Sequence, residues 1–264
     1  MIESRAKYLQ TILLLDEINY FHSNLSFENP TLFFRLLKHN ILALYILKDL
    51  ITINSKILKE NVEFNNLKKS IHRELEFINH IRNKISGHFD SILMLKSAQW
   101  QPQIFFEDNK NSDIKILLSY KTIFELAINS YLDSNGRNKM YEIEIDLIIP
   151  DDRKLFINTI YKLNVTGNKI LHLIKEYYEN QGIFLSKEQL FEESLIAAYT
   201  NFDLKTDYKI DRNKILESNN PLVSDEFIRN LDFKNLDDIE LLKNKLEEIL
   251  NKNNKTSQSL GSAE

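Results

Sequence analysis

The sequence predicts a mainly α-helical fold with one small β element. Three observations carry that prediction. Glycine and proline number only five and four among 264 residues, so few breakers interrupt the chain. Apolar residues recur at spacings of three and four over long stretches, the period that lines one helix face. The exception is Tyr141–Ile149, YEIEIDLII, which opens with strict alternation and stops at Pro150, as a half-buried strand does.

Taken in order, Tyr8, Ile12, Leu15 and Ile18 place a first helix from about Ser4 to His22. SFENP, Ser26–Pro30, is a connection. A second helix runs from Thr31 to about Ile53 and is apolar around most of its circumference, so it is expected at the centre of the fold. After the polar break NSKILKENVEF, a third helix spans Asn66 to Ser86 with the stripe Leu67, Ile71, Leu75, Ile78, Ile81 and Ile85. A fourth runs from Asp90 to about Ala98. QIFF and DIKILLSY suit short strands, KTIFELAINSYLD a helix, and DSNGRNK a turn. Asp151 and Asp152 suit a helix N-terminus, and a helical pattern continues from there to about Tyr178, with a break expected near Gly167. KEQLFEESLIAAYTNF reads as a further helix. The final helix, LDDIELLKNKLEEIL, carries Ile239, Leu242, Leu246 and Ile249 in a 3-4-3 seam. Such a seam docks on the domain or pairs with a second copy.

These elements divide into a helical domain over residues 1–185, including the β element, and a helical C-terminal extension over 186–252. A polar tail follows over 253–264, and its last four residues, Gly-Ser-Ala-Glu, read as an appended linker.

Composition narrows the function classes. The chain has no cysteine, so disulfides and thiolate metal sites are excluded and a reducing compartment is expected. The N-terminal stretch lacks the pattern of a signal peptide. The longest apolar run, Ile41–Leu47, is seven residues, against about 20 for a membrane span. A cytoplasmic protein without a membrane partner is the expectation. Net charge is −4, which argues against coating nucleic acid by bulk electrostatics. Residues 1–100 nevertheless carry 13 Lys/Arg against 10 Asp/Glu, so the first part tolerates an anionic ligand better than the rest.

One stretch stands apart: FINHIRNKISGHFDS, Phe77–Ser91. At about 100° per residue, Arg82 falls within about 20° of Ile71 on the helix wheel, inside the apolar stripe. A guanidinium there needs a partner, because an unpaired buried charge is costly. Glu74 on the same stripe, a facing helix of another subunit, and an anionic ligand are the candidates. Ser86 and Gly87 end the helix, and His88 follows. Helix-end carbonyls favour a protonated histidine and a nearby arginine disfavours it, a balance that suits proton transfer.

The run IRNKISGHFD resembles the signature of HEPN domains: an arginine, a polar residue, a short gap and a histidine. The family pattern separates arginine and histidine by four to six residues; here Asn83–Gly87 make five. Asp90 resembles the aspartate of variants in abortive-infection proteins. The resemblance implies a HEPN-like helical bundle and a homodimer whose two Arg/His pairs form one composite site. It also implies a metal-independent endoribonuclease acting on single-stranded RNA without a cofactor, as a phage-defence effector or toxin with an antitoxin or regulatory partner. It makes Arg82, His88 and Asn83 catalytic: His88 in proton transfer, Arg82 on the phosphate, Asn83 in positioning. Lys84 and Asp90 become substrate-binding, and whether Lys84, Lys68 and Lys69 form a path for RNA separates this reading from a binding module. Two other readings stand beside it. A HEPN-like bundle can serve as a non-catalytic interaction or regulatory module. Arg82 and His88 can also be purely structural, the first paired with Glu74 or capping carbonyls, the second on a surface turn.

Other features carry less. His72, Glu76 and His80 share one helix face, but it is the polar one and the spacing is not that of a zincin. Trp100 beside Pro102 reads as a packed loop before it reads as a base-stacking platform. Dinucleotide, Walker and hydrolase-elbow motifs are absent from the sequence.

Overall fold

In a computed structural model the described residues are 1–85, 90–110, 112–197, 235 and 237–248. They are mainly helical, and among them no strand occurs. The chain forms two compact units, Met1–Ile183 and Phe184–Glu264. Among the described residues no helix is long and apolar enough to cross a membrane.

The first unit contains α1 (Ile2–Asn24), α2 (Pro30–Asn54), α3 (Val62–Ser70), α4 (His72–Ile85), α5 (Ser91–Trp100), α6 (Ile114–Asn129) and α7 (Pro150–Glu179). α2 starts where Asn29 accepts the Leu32 N–H at 3.0 Å and Pro30 occupies the first turn, a position where the missing N–H costs nothing. It is central, as its all-round apolar character predicts. Phe33, Phe34, Leu37, Ile41, Leu44, Leu47 and Leu50 are all essentially inaccessible. α1, α4, α6 and α7 pack around it. Two aromatic groups fix the interior. Phe34 of α2 meets Phe124 of α6 at 5.4 Å between ring centres. Phe77 of α4 meets Tyr131, Tyr141 and Phe156 at 5.4, 5.6 and 6.4 Å. Such ring pairs add roughly 0.5–1.5 kcal/mol beyond their burial.

The structure corrects the sequence reading at four places. The expected third helix is two. Ser70 Oγ donates to the Leu67 carbonyl at 2.8 Å, competing with the helical ladder, and Ile71 leaves the α region before α4 resumes. QIFF is a 3₁₀ turn, Pro102–Phe105, and DIKILLSY contributes the first half of α6. α7 does not break at Gly167. A Cβ there would stand 2.5 Å from Leu47 Cδ2 and 3.7 Å from Ile18 Cδ1, so the glycine serves close approach of α7 to α1 and α2. We expect Gly167→Val to overpack this crossing and cost about 1–3 kcal/mol, read as a lower urea midpoint with an unchanged slope.

The fourth correction is the β element. Tyr141–Ile149 is irregular, and the only bridge nearby among the described residues is an isolated one between Leu132 and Asn138. Glu142 takes a positive φ of 65°, outside the β region. The segment's backbone is held by side chains instead of a neighbouring strand. Asn138 accepts from the Met140 and Tyr141 N–H groups, Asn129 from Ile145, and Glu125 from Leu147. The alternation reported burial only in part: Ile145 and Leu147 are buried, but Ile143 and Ile149, in the same alternating set, are exposed.

The second unit contains α8 (Lys187–Ala197) and α9 (237–248). α8 opens with a reciprocal cap: Ser186 Oγ accepts the Gln189 N–H and Gln189 Oε1 accepts the Ser186 N–H. In α9, Leu242 and Leu246 are buried and Ile239 is exposed. Ile249 of the expected seam, and the tail 253–264, lie outside the described residues.

Candidate functional site

α4 places the candidate residues. Its inward stripe of Leu75, Ile78, Ile81 and Ile85 is buried, which fixes the helix rotation and brings Arg82 to the edge of that stripe in the last turn. The guanidinium carbon lies 4.4 Å from the centre of the Tyr45 ring on α2, a cation–π distance. Arg82 Nη1 donates to Asn83 Oδ1 at 3.2 Å. Arg82 Nε is buried and, among the described residues, has no hydrogen-bond partner. Glu74 is not the partner of Arg82, because its carboxylate pairs with Lys162. The cation is therefore oriented by a ring and an amide, with most of its donor fork unspent.

Lys84 and Asp90 are brought together. Lys84 Nζ lies 2.8 Å from Asp90 Oδ2, and the Asp90 N–H donates to the Lys84 carbonyl at 3.2 Å. Asp90 Oδ1 meanwhile accepts the Leu93 N–H at 2.9 Å as the N-cap of α5. The hydrogen bond from Lys84, then that from Leu93, holds the Asp90 carboxyl below its ordinary range. This clasp joins the last turn of α4 to the start of α5, on either side of His88 in the sequence. His88 itself, with Ser86, Gly87 and Phe89, lies outside the described residues. We expect Asp90→Asn, an equally good cap, to melt close to wild type and Asp90→Ala to melt earlier, since α5 then loses its cap.

The basic path is thinner than the sequence suggests. Lys84 is engaged by Asp90, and Lys68 Nζ donates to Ser55 Oγ at 2.8 Å. Lys69 is exposed. The His72, Glu76, His80 face shows no metal geometry, and among the described residues no cluster of metal-ligating side chains occurs. Glu76 pairs with Lys48 at 3.0 Å, and His80 Nε2 sits 3.0 Å from Ser130 Oγ. Burial, then the nearby Lys84 charge, lowers the His80 pKa.

Tyr45 escaped the sequence reading. It lies in the apolar run Ile41–Leu47, and only packing of α2 on α4 pairs it with Arg82. No protein-family model, curated protein or solved structure matches the chain.

Proposed function

We propose that this protein is a metal-independent endoribonuclease of the HEPN type, acting on single-stranded RNA as a homodimer. Its setting is the cytoplasm, as a phage-defence effector or toxin under an antitoxin or regulatory partner. The observation that carries the reading is Arg82. It is a half-buried guanidinium in the last turn of a helix, stacked on Tyr45, with no ion pair among the described residues and a buried Nε that lacks an acceptor. Such a preorganised fork suits a phosphodiester oxygen. His88 follows six positions later.

In this reading the 2′-hydroxyl gives its proton to His88 and its oxygen bonds to phosphorus. The bond to the 5′-oxygen breaks, and that oxygen leaves with the electron pair and takes up a proton. The products are a 2′,3′-cyclic phosphate and a 5′-hydroxyl. Arg82 holds the phosphate and balances the charge that grows on its oxygens. Asn83, bonded to Arg82, keeps the fork in place. DNA resists because it lacks the attacking hydroxyl.

A second reading, a non-catalytic interaction module, is favoured by the engagement of Lys84 and Lys68 with groups of the chain itself. Incubation of a labelled single-stranded RNA with the protein in EDTA separates the two. Cleavage to cyclic-phosphate ends that disappears in Arg82→Ala and His88→Ala supports the nuclease. Intact RNA with the folded, dimeric wild type selects the module, and cleavage that survives both substitutions removes these residues from the site.

A further inference from the structure

A cavity of about 270 Å³ lies within the first unit, between the start of α2, the first half of α6 and the chain that enters α7. Its lining is almost wholly apolar. Phe27, Phe34, Leu117, Leu118 and Leu147 contribute to it, and Phe34 and Leu147 are buried. Two cations join them, Lys121 and Arg153, and they differ in what they already hold. Lys121 Nζ pairs with Glu125 at 3.0 Å and lies 3.7 Å from Asp146. Arg153 makes no ion pair among the described residues. Its guanidinium carbon sits 4.0 Å from the centre of the Phe27 ring, and Nη1 donates to the Leu147 and Ile148 carbonyls at 3.0 and 3.2 Å. The ring and the two carbonyls fix the plane of the group. Nε and Nη2 form the edge that takes a carboxylate through two parallel hydrogen bonds, and neither has an acceptor among the described residues.

We propose that this cavity binds a medium-chain fatty carboxylate, its apolar body of about ten carbons against the leucines and phenylalanines and its head on the Nε–Nη2 edge of Arg153. Three observations choose that ligand. The first is size: a cavity of about 150 Å³ takes benzene, with its six carbons, so this one takes about ten. The second is polarity. An almost wholly apolar lining gives no partners to the hydroxyls of a sugar or the edge of a nucleobase, and burying such groups unpaired is costly. The third is charge. One unpaired guanidinium matches one negative charge. Asp146 beside Lys121, and Asp152, whose Oδ2 accepts the Asp146 N–H at 3.0 Å, disfavour a dianion such as a phosphate monoester. None of Arg82, Asn83, Lys84 and Asp90 lines the cavity, so the proposal stands apart from the nuclease reading.

Titration calorimetry of the full chain with sodium decanoate, ionised at about pH 7.5, tests it. Wild type is expected to show one site with a dissociation constant on the order of 10–100 μM. Hexanoate buries four fewer methylenes and is expected to bind at least about 30-fold more weakly. 1-Decanol keeps the tail and drops the charge, and is expected to bind at least about 10-fold more weakly than decanoate. In Arg153→Gln, decanoate is expected to fall to the level of 1-decanol. 1-Decanol itself should be held as by wild type, which shows the cavity intact. Leu118→Trp fills the cavity and is expected to block both ligands, with an unchanged circular dichroism spectrum. Three results each overturn the proposal. Wild type that takes up no decanoate at about 1 mM removes the ligand. Equal affinity for decanoate and 1-decanol removes the role of the charge. Decanoate binding that survives both substitutions places it elsewhere on the chain.

Discussion

Arg82→Ala is expected to slow cleavage of single-stranded RNA about 10²–10³-fold while leaving the fold intact. Loss of one preorganised donor to a transition-state oxyanion costs on that order. The fold survives because the substitution removes a cation–π contact worth about 0.5–1 kcal/mol and, with it, a buried Nε that has no acceptor among the described residues. Arg82→Lys is the sharper variant. It keeps the charge but not the planar fork, nor the guanidinium stacked on Tyr45, so it is expected to recover only a small part of the rate. His88→Ala is expected to cost about 10²–10⁴-fold, the usual span for loss of a general acid or base. Single-turnover rates with a fluorescent RNA read all three. Equal rates for Arg82→Lys and wild type would reduce Arg82 to a point charge, and with it the argument from its orientation.

What the sequence made legible follows from which forces are local. The stripe of α4 and the all-round apolar character of α2 are period effects, and the structure places both as the periods require. Arg82 was found because it interrupts a stripe. Its partner was not, because Tyr45 and Arg82 meet only through packing of two helices 37 positions apart in sequence. Gly167 was read as a breaker because glycine weakens an isolated helix, whereas the contact with Leu47 that repays it is tertiary. The alternation in Tyr141–Ile149 marked Ile145 and Leu147 as inward, but Ile143 and Ile149 of the same set are exposed. It did not reveal that the pairing groups would be Asn129, Asn138 and Glu125 and not a strand, since ladder partners leave no mark in a single sequence. The clasp between Lys84 and Asp90 shows the reverse case. The two residues are close in the chain, yet the family resemblance assigned them to substrate while the geometry joins them to each other.

Stability is expected to fall as pH rises from about 4.5 to about 7, by roughly 3 kcal/mol, because of Glu125. This carboxyl on α6 is only 2% exposed. Burial is the largest influence and raises its pKa; the Leu147 N–H at 2.7 Å and Lys121 at 3.0 Å pull it back, and Asp146 adds a small push upward. The outcome is a value pushed up to about 7 from an ordinary 4.5. Between those limits the folded protein binds more protons than the unfolded chain, so the contribution is complete below about 4.5 and is lost as pH rises through about 7. His80 works in the opposite sense just below its ordinary 6.5, because its lowered pKa means that folding excludes a proton there. Asp90, held down by the Lys84 hydrogen bond, loses its contribution as pH falls through the acid range. The Glu125 part is isolated by Glu125→Gln, which keeps an acceptor for the Leu147 N–H, removes the titration, and leaves Lys121 with Asp146 at 3.7 Å. Urea midpoints for both proteins from pH 4 to 8 are expected to lie closest near pH 4 and to diverge from about 4.5 upward, the variant's relative gain reaching its full size above about 7. Parallel curves would mean that Lys121 and the Leu147 N–H fully compensate burial, and that Glu125 is an ordinary carboxylate clamping the 141–149 segment to α6.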